Sequence, residues 1–164
     1  MAGFPPISIR QPVAFDLVDD PVEICGVGTG FEAVFEARVR DGNGNEIVHV
    51  TVNAGGTGIW DNYHAVLATG VPPTAQGTAE VYELSAKDGS EINKVVVPIT
   101  FGRNLMDPYH GFAQYTVVSG DSLWAIAEHW YSDGNKWPIL YEANRNQITD
   151  PNVIFIGQVL RIPQ

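Results

Sequence analysis

Tyr115–Pro163 reads YTVVSGDSLWAIAEHWYSDGNKWPILYEANRNQITDPNVIFIGQVLRIP, and the order of its signals decides the architecture of the last third of the chain. Tyr115-Thr116-Val117-Val118 is a short extended run. Asp121 is placed to N-cap a helix, its carboxylate accepting from the free N–H groups of the first turn. Leu123, Ile126, Ala127 and Trp130 then fall on one helical stripe that faces a core. A second helix opens at Trp137-Pro138, where proline is tolerated because the first turn needs no N–H from it. Trp137, Leu140, Tyr141 and Asn144 repeat the helical spacing. Val159-Leu160-Arg161-Ile162 is a closing strand able to pair with Tyr115–Val118. Two amphipathic helices on a two-stranded sheet bury enough to fold in ~50 residues.

This β-α-α-β order closely resembles the LysM module, a small domain that holds N-acetylglucosamine-containing glycans. The resemblance runs through Tyr115-Thr116-Val117, Gly120-Asp121-Ser122-Leu123, Ile126-Ala127, Ala143-Asn144, Asp150-Pro151-Asn152 and Gly157–Pro163. It implies a glycan groove between two loops, Gly120–Leu123 and Ile148–Ile156. The site residues it implies are Gly120, Asp121, Ser122, Leu123, Asn152, Val153, Ile154 and Phe155. An acetamido sugar offers an amide N–H, an amide C=O and a methyl group. Loop backbone groups can pair with the amide while an apolar pocket takes the methyl. Each residue also has a plainer reading: Asp121 as a helix cap, Leu123 as core, and Ile154 with Phe155 as cover for the second helix. Trp124 lies off the buried stripe, where it can stack on a sugar face, whereas Trp130 and Trp137 are expected in the core. Phe155-Ile156-Gly157 stands where many members read Tyr-Pro-Gly, and the long turn Tyr131–Lys136 resembles a subgroup found in some cytoplasmic and phage-tail-like proteins.

Upstream, Ile7 to about Phe101 reads as strands punctuated by turns. Along Phe31–Arg40, Phe31, Ala33, Phe35, Ala37 and Val39 share one face and Glu32, Glu36, Arg38 and Arg40 the other, so one side is expected buried and one wet. Asp41–Asn45 supplies the residues that a hairpin turn needs, and Glu46–Ala54 reads as the return strand. Gly55–Gly58 and Lys87–Ser90 are further turns. Strands are expected over Ile59–Leu67, Thr78–Ala86 and Ile92–Phe101. Roughly seven short strands without a helical pattern indicate an antiparallel β-sandwich. The pieces resemble the Gmad2 domain, an immunoglobulin-like module named from bacterial spore-germination proteins. Pro12, Val22–Gly26, Gly30–Ala33, Asp41–Gly44, Lys87–Ser90 and Val95–Phe101 carry that resemblance. It implies an architecture and an association with the bacterial envelope, and no chemistry.

The fold expected is therefore two domains, an all-β immunoglobulin-like sandwich over residues 1–101 and a small α+β (βααβ) LysM domain over 112–164. Gly102–Gly111 lacks periodicity and reads as the linker.

Several functions are excluded by the residues themselves. The net charge of -10 repels nucleic acid and anionic membranes. No run reaches the ~18 apolar residues of a membrane helix, and MAGFPPISIRQPVAF lacks the pattern of a secretory leader. Location in the cell envelope would then need a route or leader not visible here; otherwise the protein is expected in the cytoplasm. Cys25 is the single cysteine, so no internal disulfide forms, and it reads as a small buried strand residue. His49, His64, His110 and His129 make no metal-binding spacing. Gly26-Val27-Gly28-Thr29-Gly30 lacks the helix and the Lys-Ser/Thr ending of a phosphate loop and is expected to be a turn or bulge. Glu32 and Glu36 read as solvated charge beside Arg38 rather than a glycosidase pair. No catalytic residues, metal ligands or cofactor are expected.

Two readings stay open at this point. In one, the chain is a non-catalytic bacterial protein attaching to peptidoglycan or N-acetylglucosamine oligomers, with the β-sandwich as spacer or surface for a protein partner. In the other, it is an adaptor in a cytoplasmic or phage-tail-like assembly, with the LysM fold used for protein contacts.

Overall fold

The structure is a computed structural model that describes residues 5–164, so the first four residues of the expected N-terminal domain lie outside the described residues. Alternating burial builds its larger part. Strand β1 (Ile7–Gln11), β3 (Val22–Gly30) and β7 (Asp61–Leu67) form one antiparallel sheet, and the short β6 (Gly55–Gly56) runs parallel to the end of β3. The facing sheet has the order β2 (Asp16–Val18), β9 (Glu91–Phe101), β8 (Gln76–Leu84), β4 (Val34–Asp41) and β5 (Glu46–Asn53). Ile24, Phe35, Ala37, Val39, Leu67, Ala79, Val81 and Ile99 meet between the sheets at essentially zero exposure. At about 25 cal/mol per Å2 of apolar surface, such a layer is the main stabilising term.

The turn expected at Asp41–Asn45 forms. The Asp41 carboxylate accepts from the N–H groups of Asn43 and Asn45 at 2.9 and 2.8 Å, and Gly44 takes a φ of +84°. Those bonds hold the Asp41 carboxyl below the usual range, with the Asn45 side-chain amide the largest cause.

Several details depart from the sequence reading. The strand expected from Phe31 begins only at Val34, because Ala33 adopts a φ of +58° and turns Phe31 out to 77% exposure. Gly26–Gly30 is neither turn nor bulge but the second half of β3. Its glycines are required by close packing: a Cβ at Gly26 would overlap the Ser8 carbonyl and the Tyr63 hydroxyl, and one at Gly28 would press on Phe35. Arg38 is not on a wet face. It is 4% exposed, with Nε donating to Glu80 at 2.7 Å and Nη1 and Nη2 to Glu91 at 2.6 and 2.9 Å. Burial opposes its charge, but the bonds to Glu91 and Glu80 more than offset that and raise its pKa. Cys25 is only half-buried, and burial followed by the charge of Glu23 pushes its thiol up. Ile59 and Trp60 precede β7 instead of belonging to it.

The stretch read as a featureless linker carries a helical turn, α1 (Gly102–Leu105). Tyr109 packs its ring on Gly102, where any Cβ would collide with it, and it is 7% exposed. Arg103 pairs with Asp19 and Asp20 at 3.5 Å, and Asn104 donates to the Pro72 carbonyl at 2.9 Å. Periodicity missed this segment because four helical residues give no stripe.

The smaller part pairs β10 (Phe112–Thr116) with β11 (Val159–Pro163), in antiparallel register from Phe112↔Pro163 to Thr116↔Val159. Helices α2 (Leu123–Tyr131) and α3 (Trp137–Ala143), joined through a 3-10 turn at Gly134–Lys136, cover that ribbon. Val117, Leu123, Ile126, Ala127, Leu140, Ile148, Leu160 and Ile162 form its own core. Asn144 ties α3 to the strand. It is fully buried, its Nδ2 donates to the carbonyls of Leu140 and Arg161, each at 2.8 Å, and its Oδ1 accepts from the Arg161 N–H at 2.8 Å.

The two parts touch. Arg161 Nη1 donates to the Phe15 carbonyl at 2.7 Å, and Gln76 Nε2 donates to the Glu142 carbonyl and carboxylate at 3.0 Å. Burial pushes the Arg161 guanidinium below its usual range, and pushes the neighbouring Tyr109 hydroxyl up to about 12. Among the described residues no helix is long and apolar enough to cross a membrane.

Candidate functional site

The loop between β10 and α2 and the loop between α3 and β11 come together at one cleft of about 270 Å3. One wall is Asp121, Ser122 and Trp124, the other is Pro151 and Asn152, and Leu123, Trp137 and Ile154 complete the lining. Such a volume lies at the small end of the ~300–1,000 Å3 typical of ligand pockets. It suits one sugar ring rather than a large cofactor.

The first wall is fixed by capping, though not by the residue expected. Ser122, not Asp121, is the N-cap: its Oγ accepts from the Ala125 N–H at 3.1 Å. A serine one position nearer the helix is the better-placed acceptor for the third free N–H. Asp121 instead folds back, its Oδ2 accepting from the Val118 N–H and the Tyr115 hydroxyl, both at 2.8 Å. That bond pushes the Tyr115 hydroxyl up. Both bonds fall on Oδ2, so Oδ1 keeps its lone pairs for another donor. Gly120 turns the chain with a φ of +93°.

The second wall is an Asx turn. Asp150 Oδ1 accepts from the Asn152 N–H at 2.9 Å and its side-chain amide at 3.0 Å, while the Val153 N–H donates to the Asp150 carbonyl at 3.0 Å. The end of the loop is fixed just past β10 and on itself: the Gly157 N–H donates to the Val117 carbonyl at 2.8 Å, and Gln158 Oε1 accepts from the Phe155 N–H at 3.0 Å. Between these fixed points, Ile154 leaves both its N–H and its C=O without a partner among the described residues, as does Gly120 in the other loop. The two loops therefore present open backbone edges over an apolar floor.

Of the eight residues implied by the sequence, Asp121, Ser122, Leu123, Asn152 and Ile154 meet at the cleft. Gly120 shapes its rim without lining it. Val153 and Phe155 are not in the lining and stand 46% and 67% exposed. Three lining residues were outside that set. Pro151 follows from the turn. Trp124, noted as a residue off the core stripe, is 52% exposed, and its ring is seated on Gly134, where a Cβ would overlap it. Trp137 was expected in the core but is half-buried and lines the cleft. Helical spacing alone assigned it inward, although as the first residue of α3 it lies at the helix end that the loop approaches.

A family model for the immunoglobulin-like domain of bacterial spore germination, Gmad2, matches residues 6–90, just over half of the 164-residue chain. The chain belongs to the Gmad2 family. The LysM domain model matches residues 115–163, so both walls of the cleft are LysM loops and this Gmad2 protein carries a LysM domain behind its sandwich. LysM and Gmad2 are non-catalytic binding domains. The chain is 48% identical over 48 residues to the resuscitation-promoting factor Rpf of Micrococcus luteus, covering 29% of the chain and 21% of that protein. It is 46% identical over 50 residues to the potassium binding protein Kbp of Escherichia coli, covering 30% of the chain and 34% of that protein. It is 41% identical over 86 residues to the esterase Rv1288 of Mycobacterium tuberculosis, covering 52% of the chain and 18% of that protein. The chain thus spans about a third or less of the length of the curated relatives it matches.

Proposed function

We propose that this Gmad2 protein attaches to peptidoglycan, or to another N-acetylglucosamine-containing glycan, by seating one acetamido sugar in the cleft between Asp121–Trp124 and Pro151–Ile154. The observation that carries the reading is that Ile154 in the cleft lining, and Gly120 next to Asp121 at its edge, leave their backbone N–H and C=O groups without a partner among the described residues. A sugar amide matches them: its N–H meets a carbonyl, its C=O meets an N–H, and its methyl group lies on Leu123 and Ile154. The Ser122 hydroxyl still has a proton to donate while its oxygen caps the helix. Trp124 offers a half-open ring face for the sugar's C–H surface. The LysM match supports a peptidoglycan or N-acetylglucosamine role in general.

The chain does no chemistry on that glycan in this reading, although one relative is named an esterase. Ser122 Oγ is held by a backbone N–H, and no histidine or carboxylate bonds to it. A serine without a base is a poor nucleophile. Residues 1–101 and 112–164 are taken as the two units, with 102–111 between them and the sandwich free to meet a protein partner. The adaptor reading draws on Phe155 and Ile156, exposed at 67% and 73% outside the cleft. Sedimentation with insoluble peptidoglycan separates the two. Retention of the protein, lost in Ser122→Trp and without release of soluble fragments, supports the glycan; no retention of either protein favours the adaptor.

A further inference from the structure

The sandwich buries two glutamates of β8, Glu80 and Glu83, and treats them differently. Glu80, 6% exposed, is neutralised by Arg38 at 2.7 Å and Arg40 at 3.5 Å. Glu83, 7% exposed, has no cationic partner among the described residues. Its Oε1 accepts from the Asn93 side-chain amide at 3.0 Å. Its Oε2 has no hydrogen-bond partner among the described residues and occupies the space that a Cβ at Gly30 would need. A carboxylate largely withdrawn from water, with one neutral bond and its second oxygen open to a surface cavity, is stabilised by a nearby cation.

That carboxylate sits where two surface cavities adjoin, of about 400 and about 330 Å3, both lined by Phe31, Glu83 and Ile92. Val34 and Leu84 extend the apolar floor, and Glu32 and Glu36 add negative charge to the larger cavity. Phe31, Val34, Leu84 and Ile92 are exposed at 77, 40, 53 and 40%. Exposed apolar groups gathered around acid are the reverse of a solvated face. Among the described residues no basic side chain lines either cavity.

We infer that this groove at the end of the sandwich docks a segment of a partner protein that presents an arginine or lysine between apolar residues, with the cation reaching Glu83. The occupant follows from the chemistry of the groove. The aliphatic stem of a long basic side chain lies along Phe31 and Ile92 while its head reaches the acid. The planar guanidinium meets the free Oε2 and the ring of Phe31 together. The chain's net charge of -10 steers a basic segment in and disfavours a second copy. The site lies on the sandwich and does not depend on the glycan cleft.

The test is a titration of the isotope-labelled full chain with butylguanidinium chloride, and with butylurea as its uncharged counterpart. Butylguanidinium is expected to shift the amides of residues 30–34, 83–86 and 92–93, with a Kd on the order of 1–10 mM for so small a probe. Butylurea is expected to bind roughly tenfold more weakly, since its N–H groups donate to the carboxylate without a positive charge. Glu83→Gln keeps an oxygen to accept from Asn93 and should remove that tenfold preference. Phe31→Ala, at an exposed position that cannot unfold the core, should weaken both probes. Equal response to the two probes, or an unchanged preference in folded Glu83→Gln, overturns the proposal. A preference that emerges only after residues 1–4 are removed would assign the groove to the chain's own first residues, and overturns it as well.

Discussion

Replacing Asn144 by leucine keeps the branching and the number of heavy atoms at a fully buried position and removes every bond the side chain makes. The cost follows from what is left behind. Arg161 uses its backbone N–H and C=O toward Asn144, so Asn144 completes the edge of β11 that β10 does not reach. The Leu140 carbonyl loses its side-chain donor too. Three backbone groups are thus orphaned. Each costs about 1–3 kcal/mol when kept from water, and Arg161 is only half-buried, so about 1 kcal/mol apiece and about 3 kcal/mol in all is expected. A unit of this size holds roughly 3–8 kcal/mol in total, at ~0.05–0.15 kcal/mol per residue. Asn144→Leu should therefore remove near half of the module's stability or more, and raise its unfolding constant by over a hundredfold. Urea unfolding followed by tryptophan fluorescence reads this directly, because Trp124, Trp130 and Trp137 lie in the module and only Trp60 in the sandwich. A loss below about 1 kcal/mol would refute the role given to these bonds.

Other outcomes test other parts of the structure. Gly134→Ala should push the Trp124 ring off its seat, shifting its fluorescence and weakening glycan binding while the module stays folded; an unmoved Trp124 contradicts this. Arg38 and Lys94 hold the Glu91 carboxyl at about 2, against an ordinary 4.5. Its depressed folded value means that the stability it contributes is complete above pH 4.5 and fades as pH falls toward 2. The difference in stability between the native chain and Glu91→Gln should shrink over that window, and a constant difference would count against the network. Residues 112–164, with their own core, should fold alone. Because α1 and Tyr109 pack on the sandwich, proteolysis between residues 102 and 111 should be slow in the intact chain and faster in Arg161→Ala, which releases Phe15 and Asn146. Equal rates would deny Arg161 its bridging role.

Much of this fold was legible because alternation and helical spacing record which side chains face a core. Phe35, Ala37 and Val39 alternate as a strand, and Leu123, Ile126 and Ala127 as a helix face, and each is buried. Pattern fails where burial depends on a distant partner. Arg38 looked solvated until Glu80 and Glu91, remote in sequence, closed over it. The glycines of β3 looked like a turn because nothing local shows that Tyr63 and Phe35 need their space. At the cleft, the two loops were visible through the LysM resemblance. The exchange of roles between Asp121 and Ser122 was not, since either residue type can cap a helix and only the Tyr115 hydroxyl draws Asp121 away. Trp137 was assigned by spacing, which does not register a loop approaching from outside the helix.

The central claim is that one acetamido sugar sits between the two loops. A shallow groove gripping it through a few backbone bonds should bind short N-acetylglucosamine oligomers at on the order of 10 μM to 1 mM. The most direct measurement is a titration of isotope-labelled protein with those oligomers, read at each backbone amide. The account predicts saturable shifts at Gly120–Trp124 and Asn152–Phe155, an unmoved sandwich, and loss of the shifts in folded Ser122→Trp. The absence of shifts at millimolar sugar, or shifts that persist in Ser122→Trp, would contradict it.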